Sequence, residues 1–295
     1  MSKIPVFSTV SRTYGFLLGE IGTIVRLAWA PLLIAAGLNF YFGGQAIDLV
    51  VASKDSAAAM GMASTNFLIG IVSFLANIMV IVALLRVVLF GDRKVGMIVY
   101  LWFGTAEMRL VIVYILLLVA AIAGVIGLGI GFGVLAAIAA AVPGLNIVVE
   151  LAAIALVLTA IWAVLKLTLI PAVVVAENNL GVERAWALMR GNALRMFFVL
   201  FFTYLPIGII GIILTFAVLG SDVPPFPDFQ GISSGKLKPD EVRAMAEVWQ
   251  TGLLKAMRIH WVEFSLLNYI GAIISAALVA GTAGNSYTAL AGERS

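Results

Sequence analysis

Six apolar stretches, each long enough to cross a bilayer as a helix, leave this chain few ways to fold. They lie near 24–44, 66–90, 108–136, 147–172, 194–219 and 261–284. At 1.5 Å of rise per residue, about 20 residues cover the roughly 30 Å hydrocarbon core. Composition agrees: 63% of the 295 residues are hydrophobic and 11% charged, against about 45–50% and 25% in a soluble domain. The expected fold is all-α, a polytopic bundle of about six transmembrane helices in one integral membrane domain, 1–295.

The same composition narrows function. No cysteine is present, which excludes disulfides, Fe–S clusters and thiolate zinc sites, and a single histidine argues against a His-ligated haem or metal centre. No cofactor or metal is expected. The net charge of +3 reads as a topology signal rather than a nucleic-acid footprint. With the N-terminus inside, twelve Lys and Arg face the cytoplasm and six face out, five of those in the long loop 220–259 beside balancing acids. Both termini are therefore predicted to be cytoplasmic. Lys3 and Arg12 precede a first apolar run that begins late and lacks an obvious A-x-A site, so no cleaved signal peptide is expected.

The stretch between the fourth and fifth spans carries most of the local pattern. Pro171 closes an apolar run, Glu177-Asn178-Asn179 breaks it, a short segment bearing Trp186 and Arg190 follows, and Arg195 opens the next run. Similar entries occur at Arg26 and at Trp102, Glu107 and Arg109, the three arginines lying 83 and 86 residues apart. Two origins fit this spacing: three repeated helical hairpins, 1–94, 95–179 and 180–295, or the positive-inside rule acting on hairpins of similar length. Residues 4–18 space Val6, Phe7, Val10, Tyr14 and Leu17 opposite Ser8, Ser11 and Arg12, the pattern of an interfacial helix. In the outer loop, Pro239 followed by Asp240 and Glu241 starts a second amphipathic helix, with Val242, Met245, Trp249 and Leu253 on one face. It lies on the surface or folds over a cavity mouth.

Candidate sites follow from charges near apolar surroundings. Arg26, Arg109 and Arg195, with Trp102 and Trp186, are placed to snorkel to lipid headgroups as anchors. Lys166 can snorkel too, with Trp162 one turn earlier. On the outer side Glu150, Glu263, His260 and Arg258 either line a small polar site or serve as ordinary interface residues. Gly127/Gly131 and Gly129/Gly133 read as small-residue packing faces in a third span that is either tilted or broken and ends at Pro143. Asn39, Asn66, Asn77, Asn146 and Asn268, with Ser73, Ser265 and Ser275, offer interhelical hydrogen bonds. H-E-x-x-H and P-loop patterns are missing. The strings G-x-S-x-G at Gly231 to Gly235 and S-x-x-K at Ser233 to Lys236 fall in the Gly/Ser-rich part of the outer loop, outside the strand–turn–helix or S-D-N and K-T-G setting they need. An enzymatic role therefore has no motif in its required context.

The pattern of Ile170-Pro171, Glu177, Ala185 to Met189, Gly191-Asn192 and Arg195 before Phe197-Phe198, with the ending Asn285-Ser-Tyr287-Thr-Ala-Leu290, resembles a loose group of bacterial six-span proteins. These are the YciC-like family and the membrane domain fused to some glycerophosphodiester phosphodiesterases. The resemblance brings no catalytic residues, and it implies a bacterial inner-membrane protein concerned with envelope or lipid homeostasis. Three functions fit, in order: a non-enzymatic protein that binds lipid or scaffolds a membrane complex, a transporter or pore for a small solute or lipid, and a membrane enzyme acting on lipid headgroups. The expected partners are membrane lipids and other membrane subunits or a second copy, and no nucleic acid.

Overall fold

A computed structural model describes residues 2–52, 56–92, 100–141, 146–225 and 238–292. Ten α-helices account for nearly all of them, and no strand occurs among the described residues. In chain order they are α1 (Val6–Gly19), α2 (Ile21–Ala52), α3 (Ser56–Phe90), α4 (Thr105–Ala141), α5 (Asn146–Leu167), α6 (Ile170–Glu177), α7 (Val182–Leu188), α8 (Ala193–Leu219), α9 (Pro239–Ile259) and α10 (Trp261–Ala291). Six stretches are long and apolar enough to cross a membrane: Ile21–Leu49, Thr65–Phe90, Thr105–Val134, Ile147–Glu177, Ala193–Asp222 and Trp261–Ala291. The protein is an all-α, multi-pass helical bundle.

The core is built around the last span. α10 packs on α1, α2, α3 and α8, and it does so through small residues: Ala276, Ala277, Ala280, Gly281, Ala283 and Gly284 are all buried. Without bulky side chains two helix axes approach closely, and dispersion then acts between whole backbones. The glycines expected to serve this purpose do not: Gly127, Gly129, Gly131 and Gly133 have open space where a side chain would sit. They lie on the lipid side of α4, which runs unbroken through that segment. Residues 142–145, including Pro143, lie outside the described set.

The fourth span does not close at Pro171 as expected. Its helix pauses at Thr168–Leu169, and Pro171 falls in the first turn of α6, where a missing N–H leaves no bond unmade. α6 then runs to Glu177. None of the most apolar window of this span is buried, yet Ile170, Pro171, Ala172, Val173 and Val174 are all buried, so the pause swings the chain from lipid into the core. The turn beyond α6 uses Asn178 at φ 55° and Gly181 at φ 71°. A Cβ on Gly181 would sit 2.9 Å from Val173 Cγ1. Gly181→Ala is expected to cost about 2 kcal/mol, from the left-handed backbone plus the forced contact, read as the loss of unfolding free energy in detergent micelles.

α1 is amphipathic as expected, but the face it buries is Thr9, Thr13 and Leu17, while Phe7 is 76% exposed. Thr13 can be buried because its hydroxyl donates to the Thr9 carbonyl (2.9 Å), which leaves its methyl to pack against Gly281. A short helix thus precedes α2 and another, α7, precedes α8. Before α4, residues 100–104 are non-helical and 93–99 lie outside the described set.

Candidate functional site

The three arginines at the span entries are held differently. Arg195 Nη1 donates to the Ile4 carbonyl (3.1 Å), and Arg109 donates to the Asn178 side-chain oxygen. Both therefore tie elements together at the end of the bundle that carries Ser2 and Leu290. Arg26 is part-buried, with its Nε unpartnered. Asn192, 2% exposed, is the centre of this clasp. Its oxygen accepts the Ile4 N–H (3.1 Å) and its amide donates to the Ser2 carbonyl (3.2 Å). The Ser2 hydroxyl in turn donates to the Leu290 carbonyl (2.9 Å).

At the same end, Trp102 is 58% exposed on the non-helical approach to α4. Glu107, fully buried, accepts the Gly104 N–H (2.9 Å) and so caps the start of α4. Its other oxygen faces Arg86 at 3.6 Å. Trp186 faces inward rather than serving as a free anchor: it meets Trp162 edge to face with ring centres 5.3 Å apart. The Lys166 ammonium lies 3.8 Å over the Trp162 ring and 4.3 Å over that of Trp186. Lys166 is only 6% exposed, so the two indoles shelter the cation and pin α7 to α5. The sequence placed Trp162 beside Lys166, but bringing in Trp186 depends on the turn at Asn178–Gly181.

At the far end the four polar candidates are not assembled into one site. Arg258 forms a two-pronged bond to Asp48 (2.7 and 2.9 Å), and His260 pairs with Asp222 at 2.9 Å. Glu150 and Glu263 are both exposed, and among the described residues neither forms an ion pair. The physical reason is helix order: α5 packs with α4, α7 and α8, whereas α10 packs chiefly with α1, α2, α3 and α8. The Arg258–Asp48 pair instead fastens α9 to the end of α2. α9 starts at Pro239 with the Glu241 carboxylate accepting the Lys238 N–H (2.8 Å). Among the described residues no group of three or more His, Asp or Glu is placed to hold a metal ion.

Among the described residues, two concavities between the spans bear on function. The larger, about 710 Å³, runs between α4, α5, α8 and α10. Its lining is almost wholly apolar, with Leu117, Gly124, Ala163, Leu167, Leu200 and Ala283 representative, and Tyr114 and Tyr204 at its edges. Thr282, 2% exposed, lines it with a hydroxyl that has no protein partner. The groove exists because small residues on α4 and α5 (Ala120, Ala121, Gly124, Ala160, Ala163) face the α8–α10 pair without filling the space. The second, about 390 Å³, lies between α2, α3 and α10 and is lined by Asn39, Ser73, Asn77, Ser265 and Asn268. Of the polar residues expected to bridge helices, Asn39 does so, donating to Ser73 Oγ (3.3 Å). Asn77 and Asn268 bond back to their own helices, and the side chain of Asn146 lies outside the described set.

Compared with protein-family models, with curated proteins and with solved structures, the chain shows no match.

Proposed function

We propose that this protein binds membrane lipid, with an acyl chain lying in the groove between α4, α5, α8 and α10. The observation that carries the reading is the groove itself, a concavity of about 710 Å³ with a near-continuous apolar lining on helices long enough to span a bilayer. Water gains too few partners in such a space to occupy it stably, whereas a hydrocarbon chain restores the dispersion contacts its walls lack. The unpaired Thr282 hydroxyl supplies one donor, and an ester carbonyl is the acceptor a membrane lipid offers. The basic residues gathered at the clasp end support cytoplasmic termini in a bacterial inner membrane. The exposed Trp102 and part-buried Arg26 remain suited to headgroups. On this reading the protein is a lipid-binding or scaffolding component of the envelope rather than an enzyme.

Gly124→Phe with Ala163→Phe fills the groove from two walls. Neither position closes the core, since Gly124 has open space around it. Native mass spectrometry of protein released from nanodiscs is expected to show about fivefold less retained lipid in the double variant, the equivalent of about 1 kcal/mol of lost binding. Equal lipid retention by a folded double variant overturns the reading.

A further inference from the structure

The smaller cavity is polar where a bilayer-spanning bundle is ordinarily apolar. Asn39 on α2, Ser73 and Asn77 on α3, and Ser265, Asn268 and Tyr269 on α10 all face it. Polar side chains within spans are costly and tend to mark sites rather than fill space. Only the Asn39–Ser73 bond joins two of these side chains across helices, so interhelical bonding does not account for the group.

The hydrogen bonds decide what the cavity offers. Asn39 Nδ2 donates to the Ala35 carbonyl (3.1 Å), Asn77 Nδ2 to that of Ser73 (2.8 Å) and Asn268 Nδ2 to that of Phe264 (3.0 Å). A carbonyl can face only the amide nitrogen, so each Oδ1 is turned away from its own helix. Two further lining donors are also committed: Tyr269 OH to the Trp29 carbonyl (3.0 Å) and Trp261 Nε1 to the Phe40 carbonyl (2.9 Å). What remains is three amide oxygens, the Ser73 and Ser265 hydroxyls, and single N–H groups on Asn77 and Asn268. Acceptors outnumber donors, and both kinds are present.

Charge narrows the guest further. No Asp, Glu, Lys, Arg or His lines the cavity, and the nearby Arg258 and Asp48 satisfy one another. An ion brought there would have no counter-charge, and three amide oxygens on three separate helices fall short of the ring of carbonyls that replaces hydration in a filter. Access and enclosure are both built in. Asn39 and Asn268 are exposed. Trp261 covers one end, its ring seated on Gly43 and Gly44, where a Cβ would come within 3.0 and 3.2 Å of the indole. Those two glycines let the indole lie against the α2 backbone and stack on Phe40, ring centres 6.4 Å apart. Cavities of this size, with a few convergent polar groups and aromatic walls, are those that take small ligands.

We propose that this cavity binds a neutral polyhydroxylated group, each hydroxyl donating to an asparagine oxygen and accepting from a serine or amide N–H. The group belongs either to a free polyol or to the sugar headgroup of a glycolipid. The full-length protein in nanodiscs is tested with xylitol by saturation-transfer NMR, and with glucosyl diacylglycerol against phosphatidylcholine by native mass spectrometry. The variants are Asn77→Leu and Asn268→Leu, whose side chains bond no other helix and leave the Asn39–Ser73 contact in place. Asn268 is exposed, so its variant stays folded and keeps the test decisive.

Binding of xylitol, of the glycolipid, or of both, reduced about tenfold in each variant, is the expected result, the equivalent of one to two hydrogen bonds. Xylitol alone identifies a soluble ligand, and glycolipid alone a headgroup. The proposal is overturned if neither probe binds the parent protein, if the variants bind equally well, or if ethanolamine displaces the polyol at equal concentration.

Discussion

Asn192→Leu is expected to remove about 3–4 kcal/mol of stability and to free the amino-terminal segment. The side chain is 2% exposed, accepts the Ile4 N–H and donates to the Ser2 carbonyl. Leucine leaves the buried Ile4 N–H without a partner, at about 1–3 kcal/mol, turns the carbonyl of the exposed Ser2 to water, and weakens the Arg195 bond to the Ile4 carbonyl that depends on the same segment. Ile4 is itself fully buried, so its release exposes apolar surface as well. Unfolding in mixed micelles reports the energy, and trypsin cutting after Lys3 reports the release. A leucine variant that resists trypsin like the parent would show that Ile4 burial alone holds the segment.

Gly284→Val should cost about 3 kcal/mol by a different route. A Cβ there would lie 2.6 Å from Val88 Cγ1, 3.2 Å from Val88 Cβ and 3.5 Å from Leu85 Cδ2. Val88 is β-branched and stiff in a helix, so it cannot rotate out of the way, and α10 has to shift from α3. Val88→Ala in the same chain should return about 1–2 kcal/mol, a coupling that a double-mutant cycle isolates. Gly124→Val is the matched control, since nothing lies within 4 Å of its Cβ position, and its change is expected to stay near 0.5 kcal/mol or below. Equal losses at both glycines would fault the close approach of α10 to α3.

These two residues also show where sequence reasoning reaches and where it stops. The six spans were legible because the apolar signal accumulates over twenty or more residues, and the α9 start because Pro239, Asp240 and Glu241 are local chemistry. Which glycines pack was not legible. Gly127 to Gly133 form the denser series, yet they face lipid, while Gly281 and Gly284 in a less conspicuous stretch hold the core. Spacing identifies a face and says nothing about what stands opposite. The same limit separated Arg258 and His260, each with its own partner, from the exposed Glu150 and Glu263, because helix neighbours in a bundle are not ordered by chain position. Asn39, Asn77 and Asn268 were each visible, but their meeting around one cavity depends on α10 returning to α2 and α3.

That return has a consequence for how the molecule is made. α10 is synthesised well after α1, α2 and α3, and it completes their packing. More than half of the chain, from Phe90 to Trp261, is translated in between, taking on the order of ten to thirty seconds at typical elongation rates. During that interval Thr13, Leu85 and Val88 wait in the membrane without the helix that covers them. A ribosome stalled before residue 261 would leave α1, α2 and α3 without the helix that packs against all three, the kind of intermediate that membrane quality control can recognise and remove.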